Sequence, residues 1–195
     1  ELDDNSPTKN DTKDAKVIAQ LIKDGRYSVP NLLEGIYAEL REGIKLRDQL
    51  TKQLMIIEGR TQNWLQRYFP EFLDVFGDWK GKAAIHTLRM FPLPVEIQTM
   101  TPEEIVYRWK PFVKRGVGIK RAEQLIEAAK QSVGLTVGTT FAKRELTNLL
   151  EQYDLYKQQI QALDQDLEEM VKEVPGANEM MNIPGLGAIT VATLF

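Results

Sequence analysis

Apolar residues recur in two long helical registers that frame this chain. Leu146, Leu149, Tyr153, Tyr156, Ile160, Leu163, Leu167, Met170 and Val174 step by alternating threes and fours, with charged residues filling the positions between. That period is the seam of a coiled-coil helix. Leu33, Ile36, Leu40, Leu50, Leu54, Ile57, Trp64 and Tyr68 form an earlier, weaker seam, with Gly43, Arg47 and Thr61 as its small or polar members. The stretches 33–68 and 139–174 are equal in length, each about 54 Å as helix at ~1.5 Å per residue. Equal length predicts that they pair antiparallel, with everything between them inserted at one tip. Pairing with a second chain fits the same pattern.

The expected tip spans residues 69–138, where Pro70, Pro92, Pro94, Pro102 and Pro111 cut the chain into short helices. Thr101-Pro102-Glu103-Glu104 reads as a helix start, with Thr as N-cap, Pro at the first helical position and Glu reaching back. Phe72, Phe76, Trp79, Leu88, Phe91, Trp109 and Phe112 are expected to supply a small core. A shorter helix is expected from Asp11 to about Asp24, stopped by Gly25. No alternating strand pattern of any length occurs, so the expectation is all-α: long antiparallel coiled-coil helices with a small helical subdomain at the tip.

Composition narrows the chemistry. Of the 195 residues 43% are apolar and 27% charged, as in a folded soluble protein. No apolar run approaches the ~18 residues of a membrane helix. With no cysteine and only one histidine, His86, thiolate chemistry and imidazole clusters for zinc are excluded, and the chain suits a reducing, cytoplasmic setting. The chain opens on Glu1 and ends within an apolar run, Ile189–Phe195, so it is expected to be a piece of a longer protein.

The net charge of −3 conceals a separation: residues 105–130 hold seven basic and two acidic residues, whereas 150–180 hold eight acidic and two basic ones. Nucleic acid is attracted to the first segment and repelled by the second. The basic segment contains Gly116-Val117-Gly118-Ile119-Lys120-Arg121-Ala122, the pattern of a helix-hairpin-helix turn. Its glycines let a phosphate approach the N–H groups that open the second helix. Lys114, Arg115, Gly116, Gly118, Lys120 and Arg121 are therefore the candidate nucleic-acid contacts, against the alternative of a tight turn with solvated cations. A second copy, Ile183-Pro184-Gly185-Leu186-Gly187, stands among acids, and here packing is the preferred reading.

Asp11 and Asp14 lie one helical turn apart at the head of the first predicted helix. They are the candidate catalytic and metal-ligating residues, because two carboxylates on one face can supply part of an oxygen shell for a hard divalent cation. On spacing alone helix capping is the preferred reading: Asn and Asp are favoured N-caps and an acid in the first turn complements the dipole.

Asn10-Asp11-Thr12-Lys13-Asp14-Ala15-Lys16-Val17-Ile18-Ala19, then Val117 to Ala122, then the closing Ile183-Pro184-Gly185-Leu186-Gly187, together resemble bacterial insertion-sequence transposases of the Asp-Glu-Asp-Asp class. The resemblance implies a RuvC-like nuclease domain whose last two acids are Asp11 and Asp14, with Mg²⁺ as cofactor and the first two acids preceding Glu1. It implies a coiled-coil region that helps assemble protomers as a homodimer or higher, and a C-terminal transposase domain whose serine nucleophile lies beyond Phe195. DNA is then the substrate and a structured guide RNA an expected partner. The expected divisions are 1–30 (end of the nuclease domain), 31–68 (first long helix), 69–138 (tip), 139–174 (second long helix) and 175–195 (start of the transposase domain). The alternative is a non-catalytic coiled-coil adaptor or scaffold for nucleic acid.

Overall fold

The computed structural model describes residues 11–26, 34–113 and 118–195, and among them every regular element is helical. Helix α1 covers Asp11–Lys23, α2 Ile36–Tyr68, α3 Phe72–Phe76, α4 Lys82–Met90 and α5 Pro94–Ile97. Then follow α6 over Pro102–Trp109, α7 Ile119–Gln131, α8 Thr139–Lys172, α9 Ala177–Met181 and α10 Ala188–Leu194. The all-α expectation holds.

Helices α2 and α8, of 33 and 34 residues, lie antiparallel along one another. Their cross-links give the direction: the Arg67 guanidinium meets the Glu145 carboxylate at 2.9 Å at one end, and Arg47 meets Asp164 at 2.6 Å further along. Local chemistry sets the ends of both helices. Pro70 lacks the N–H needed to extend α2 and disfavours a helical residue before it, and the Phe69 N–H makes the closing bond to the Leu65 carbonyl. Gly138, at φ +67°, turns the chain into α8 through a left-handed conformation that glycine adopts without steric cost.

Apolar burial falls into two clusters. The larger fills the tip, where Trp64, Phe69, Phe72, Ile105, Trp109 and Leu125 pack on Leu146 and Leu149 of α8. The smaller joins Leu40 of α2 to Leu167 and Val171 of α8 and to Val191 and Ala192 of α10. The second glycine hairpin thus sends α10 onto the long pair, in line with the packing reading. Leu54 and Tyr156 at the edge of the larger cluster, Leu163 at the edge of the smaller, and Leu50 and Ile160 between them are only half-buried. One partner helix covers one side of such a seam and leaves its flanks in water. Gly43 sits where a Cβ would come within 2.7 Å of the Leu167 side chain, which accounts for a residue without a side chain in this register.

The tip is held to the pair by polar bonds as well as by its core. The Trp64 indole N–H donates to the Ala142 carbonyl at 2.8 Å, tying α2 to the start of α8. The Trp109 indole donates to the Thr87 hydroxyl at 2.8 Å, and that hydroxyl donates in turn to the Ala83 carbonyl at 2.7 Å. These buried donors are satisfied, as burial of polar groups requires. The Thr101 capping box forms as expected, with the Glu104 N–H on the Thr101 hydroxyl and the Thr101 N–H on the Glu104 carboxylate. Phe112 departs from expectation. Assigned to the core by its apolar character, it stands 50% exposed in the turn after α6. The deepest position is already occupied by Trp109, three residues earlier and fully buried.

Candidate nucleic-acid interface and metal ligands

The basic segment folds into α6, a turn at 110–113, and α7, which pack against each other in the tip. Gly118 caps α7 in an extended conformation, φ −144°, and has no side chain with which to satisfy the first-turn N–H groups. The first intrahelical bonds are those of Arg121 and Ala122 to the Gly118 carbonyl. The N–H groups of Ile119 and Lys120 therefore precede the helical ladder, at the positive end of the helix dipole. Lys120 projects into solvent in this same turn. Arg121 is half-buried, its guanidinium 5.8 Å from the centre of the Phe76 ring, a cation–π distance that fixes the side chain over the tip surface. Of the candidate contacts, the structure thus brings Gly118, Lys120 and Arg121 together at one helix start. Lys114, Arg115 and Gly116 lie outside the described residues.

Arg108 and Lys110, from α6 and the turn after it, are also exposed. The ring of Phe112 stacks on His86 of α4, centroids 4.0 Å apart and planes 20° from parallel. Burial first, and the neighbouring Arg89 second, hold the His86 imidazole below its ordinary pKa. Both causes act against the charged form, so the stack is a pair of neutral rings near pH 7. Sequence reasoning missed this pair. A lone histidine carried no signal, and Phe112 looked like core; only the packing of α6 on α4 brings them together.

The acidic segment runs along α8 from the tip, where Asp154 pairs with Arg89 of α4, to the far end of the helix. Asp164, Glu168 and Glu173 lie at the end remote from the tip, so the charge separation along the chain is only in part a separation in space. Arg47 draws on it: the bond to Asp164 raises the pKa of the guanidinium above its ordinary value. Trp64 and Phe69 are fully buried and Tyr68 nearly so, which commits them to the core and not to base stacking.

At the other end of the chain, α1 begins at Asp11, so Asp14 falls in its first turn and is exposed. The Asp11 side chain lies outside the described residues. Among the described residues no group of three or more His, Cys, Asp or Glu side chains is gathered as a metal centre would need. The donor chemistry of two aspartates one turn apart suits a hard cation, but further ligands have to come from elsewhere. Val17, Ile18 and Ile22 of α1 are exposed as well.

Residues 2–70 match a family model described as Transposase, that of the Asp-Glu-Asp-Asp insertion-sequence class. Over this stretch the chain is similar to that transposase family. The matched transposase stretch takes in α1 with Asp11 and Asp14, runs through the whole of α2, and ends at Pro70. The tip and α8 lie beyond the match and pack directly on its last helix. No curated protein and no solved structure matches the chain. No helix among the described residues is long and apolar enough to cross a membrane.

Proposed function

We propose that this chain is the central piece of an insertion-sequence transposase, a cytoplasmic enzyme that cuts and rejoins DNA with Mg²⁺. The transposase match over residues 2–70, with Asp11 and Asp14 on the opening turn of α1, carries the reading. Asp11 and Asp14 would hold Mg²⁺ together with carboxylates from outside the described residues. When bound, the ion would polarise the scissile phosphate and stabilise the charge that develops on it. The two aspartates would contribute oxygen donors and neutralising charge, since residues three apart in a helix are neighbours on its surface. By themselves they form an incomplete shell, so this chain alone should cleave nothing.

Supporting parts of the reading fall to the rest of the molecule. The long α2–α8 pair has a half-covered seam at its middle, which suits assembly of protomers, a homodimer or higher, through coiled-coil contacts. The tip presents Lys120 and Arg121 at the start of α7, and Arg108 and Lys110 at the end of α6, which suits contact with the backbone of DNA or of a structured guide RNA. Lys114, Arg115, Gly116 and Gly118 belong to the same proposed contact.

The test uses the complete reading frame. Mg²⁺-dependent strand cleavage should fall to background in Asp11→Ala and in Asp14→Ala, while the 195-residue chain shows none. Full cleavage by Asp14→Ala would remove that residue from the metal site. For the tip, binding should weaken steeply with salt, and the double variant Lys120→Glu/Arg121→Glu should abolish it at about 0.1 M salt, where charge contacts dominate. No binding at low salt would leave the tip a spacer.

A further inference from the structure

Phosphate contact leaves the exposed Phe112 unexplained. His86 covers one face of its ring at 4.0 Å, and half of the side chain remains in water. The tip also holds a cleft of about 280 Å³ whose lining includes Phe76, Lys82, Val113 and Arg121. Val113 follows Phe112 in the chain, and Lys82 precedes His86 by one helical turn on the same face of α4, about 6 Å along the axis. Aromatic platform and cleft therefore share neighbouring residues on α4 and on the turn after α6. The cleft carries two cations, Lys82 and Arg121, against one acid, Asp78. That acid is already engaged, its Oδ1 accepting the Lys80 N–H at 2.9 Å.

We infer that this groove takes an unpaired nucleotide, its base stacked on the open side of Phe112 and its phosphate held between Lys82 and Arg121. The inference rests on the reading of the tip as a nucleic-acid surface and names the form of nucleic acid it prefers. In a duplex both faces of each base are already stacked on neighbours; only an unpaired base offers a free face to an aromatic ring. Stacking on a phenyl ring reads no base edge, so the site tolerates any base. The ribose hydroxyl plays no part in the contact, so single-stranded DNA and RNA both qualify.

The test is fluorescence anisotropy of the 195-residue chain with labelled oligo-dT, oligo-rU and a duplex of equal length. Both single strands should bind more tightly than the duplex. Oligo-dT and oligo-rU should bind alike, because stacking and a phosphate contact are common to both strands. Phe112→Ala should weaken single-strand binding about tenfold with duplex binding unchanged. Phe112→Trp should keep the affinity, and its indole fluorescence should be quenched as a base stacks on it. Lys82→Gln should lower the salt slope by about one. Far-UV circular dichroism verifies that each variant is folded. An effect of Phe112→Ala smaller than about twofold, or equal on single strand and duplex, overturns the stacking site. In that event, loss of binding in Lys120→Glu/Arg121→Glu would show that the phosphate reading survives. No binding of any oligonucleotide at low salt removes both.

Discussion

Gly134 offers the sharpest test of the packing that holds the tip on the long helices. The segment between α7 and α8 passes so close to the end of α2 that a Cβ on Gly134 would sit 2.3 Å from the Tyr68 carbonyl oxygen and 2.6 Å from its carbon. Backbone at a helix end cannot rotate away as a side-chain tip can, so in Gly134→Ala the segment has to lift. Two bonds go with it: the Leu135 N–H to the Arg67 carbonyl at 2.8 Å, and the Val133 N–H to the Glu71 carboxylate at 2.9 Å. The first is worth about 1 kcal/mol and the second, to a charged acceptor, about 1.5–3 kcal/mol. Water replaces part of both, because Val133 and Leu135 are exposed. A net loss of about 2–3 kcal/mol follows, which for a chain of this size lowers the melting temperature by about 5–10 °C. Thermal circular dichroism measures it, with Gly59→Ala as the control. Gly59 lies in the exposed middle of α2 with nothing within 4 Å of its added Cβ. The same chemical change there should stabilise by about 0.5–1 kcal/mol through helix propensity. If Gly134→Ala melts within about 1 °C of the parent, or moves in the same direction as Gly59→Ala, the close-approach reasoning is wrong.

Three further outcomes are expected. Thr87→Val keeps the shape of a fully buried side chain but strips the acceptor from the Trp109 indole; it should cost about 1–3 kcal/mol in urea unfolding, part of which Trp109→Phe recovers in a double-mutant cycle. Asp164→Ala leaves Arg47 half-buried without its partner; it should cost about 1 kcal/mol at low salt and less at high salt, where the pair is screened, and an unchanged difference across salt would rule out a charge origin. His86 titrates lower in the folded chain than its ordinary 6.5, so below that pH the unfolded chain takes up a proton that the folded one resists. Stability should therefore decline as pH falls from 6.5 toward the folded value; His86→Phe should flatten that decline, and an identical pH profile in the variant would contradict the assignment.

Periodicity of residue type determined much of this protein. The threes and fours from Leu146 to Val174 specified a long helix, because a stripe that recurs every 3.5 residues stays on one face whatever lies opposite. Pro70 after Tyr68, Thr101 before Pro102 and Gly25 after α1 fixed helix ends through local backbone chemistry alone. Asn10 to Ala19, Val117 to Ala122 and Ile183 to Gly187 together carried the resemblance to transposases, which the match over residues 2–70 supports. The tertiary structure decided what depends on neighbours distant in sequence. It set how deeply each seam residue is buried: Leu146 and Leu149 meet the tip core, while Ile160 joins neither core cluster and is half-buried. It also sent Trp109 inward and Phe112 outward, two aromatic residues three apart that the sequence cannot tell apart. Burial is a property of what packs against a side chain, and for Phe112 that neighbour is a histidine on another helix, 26 residues earlier in the chain.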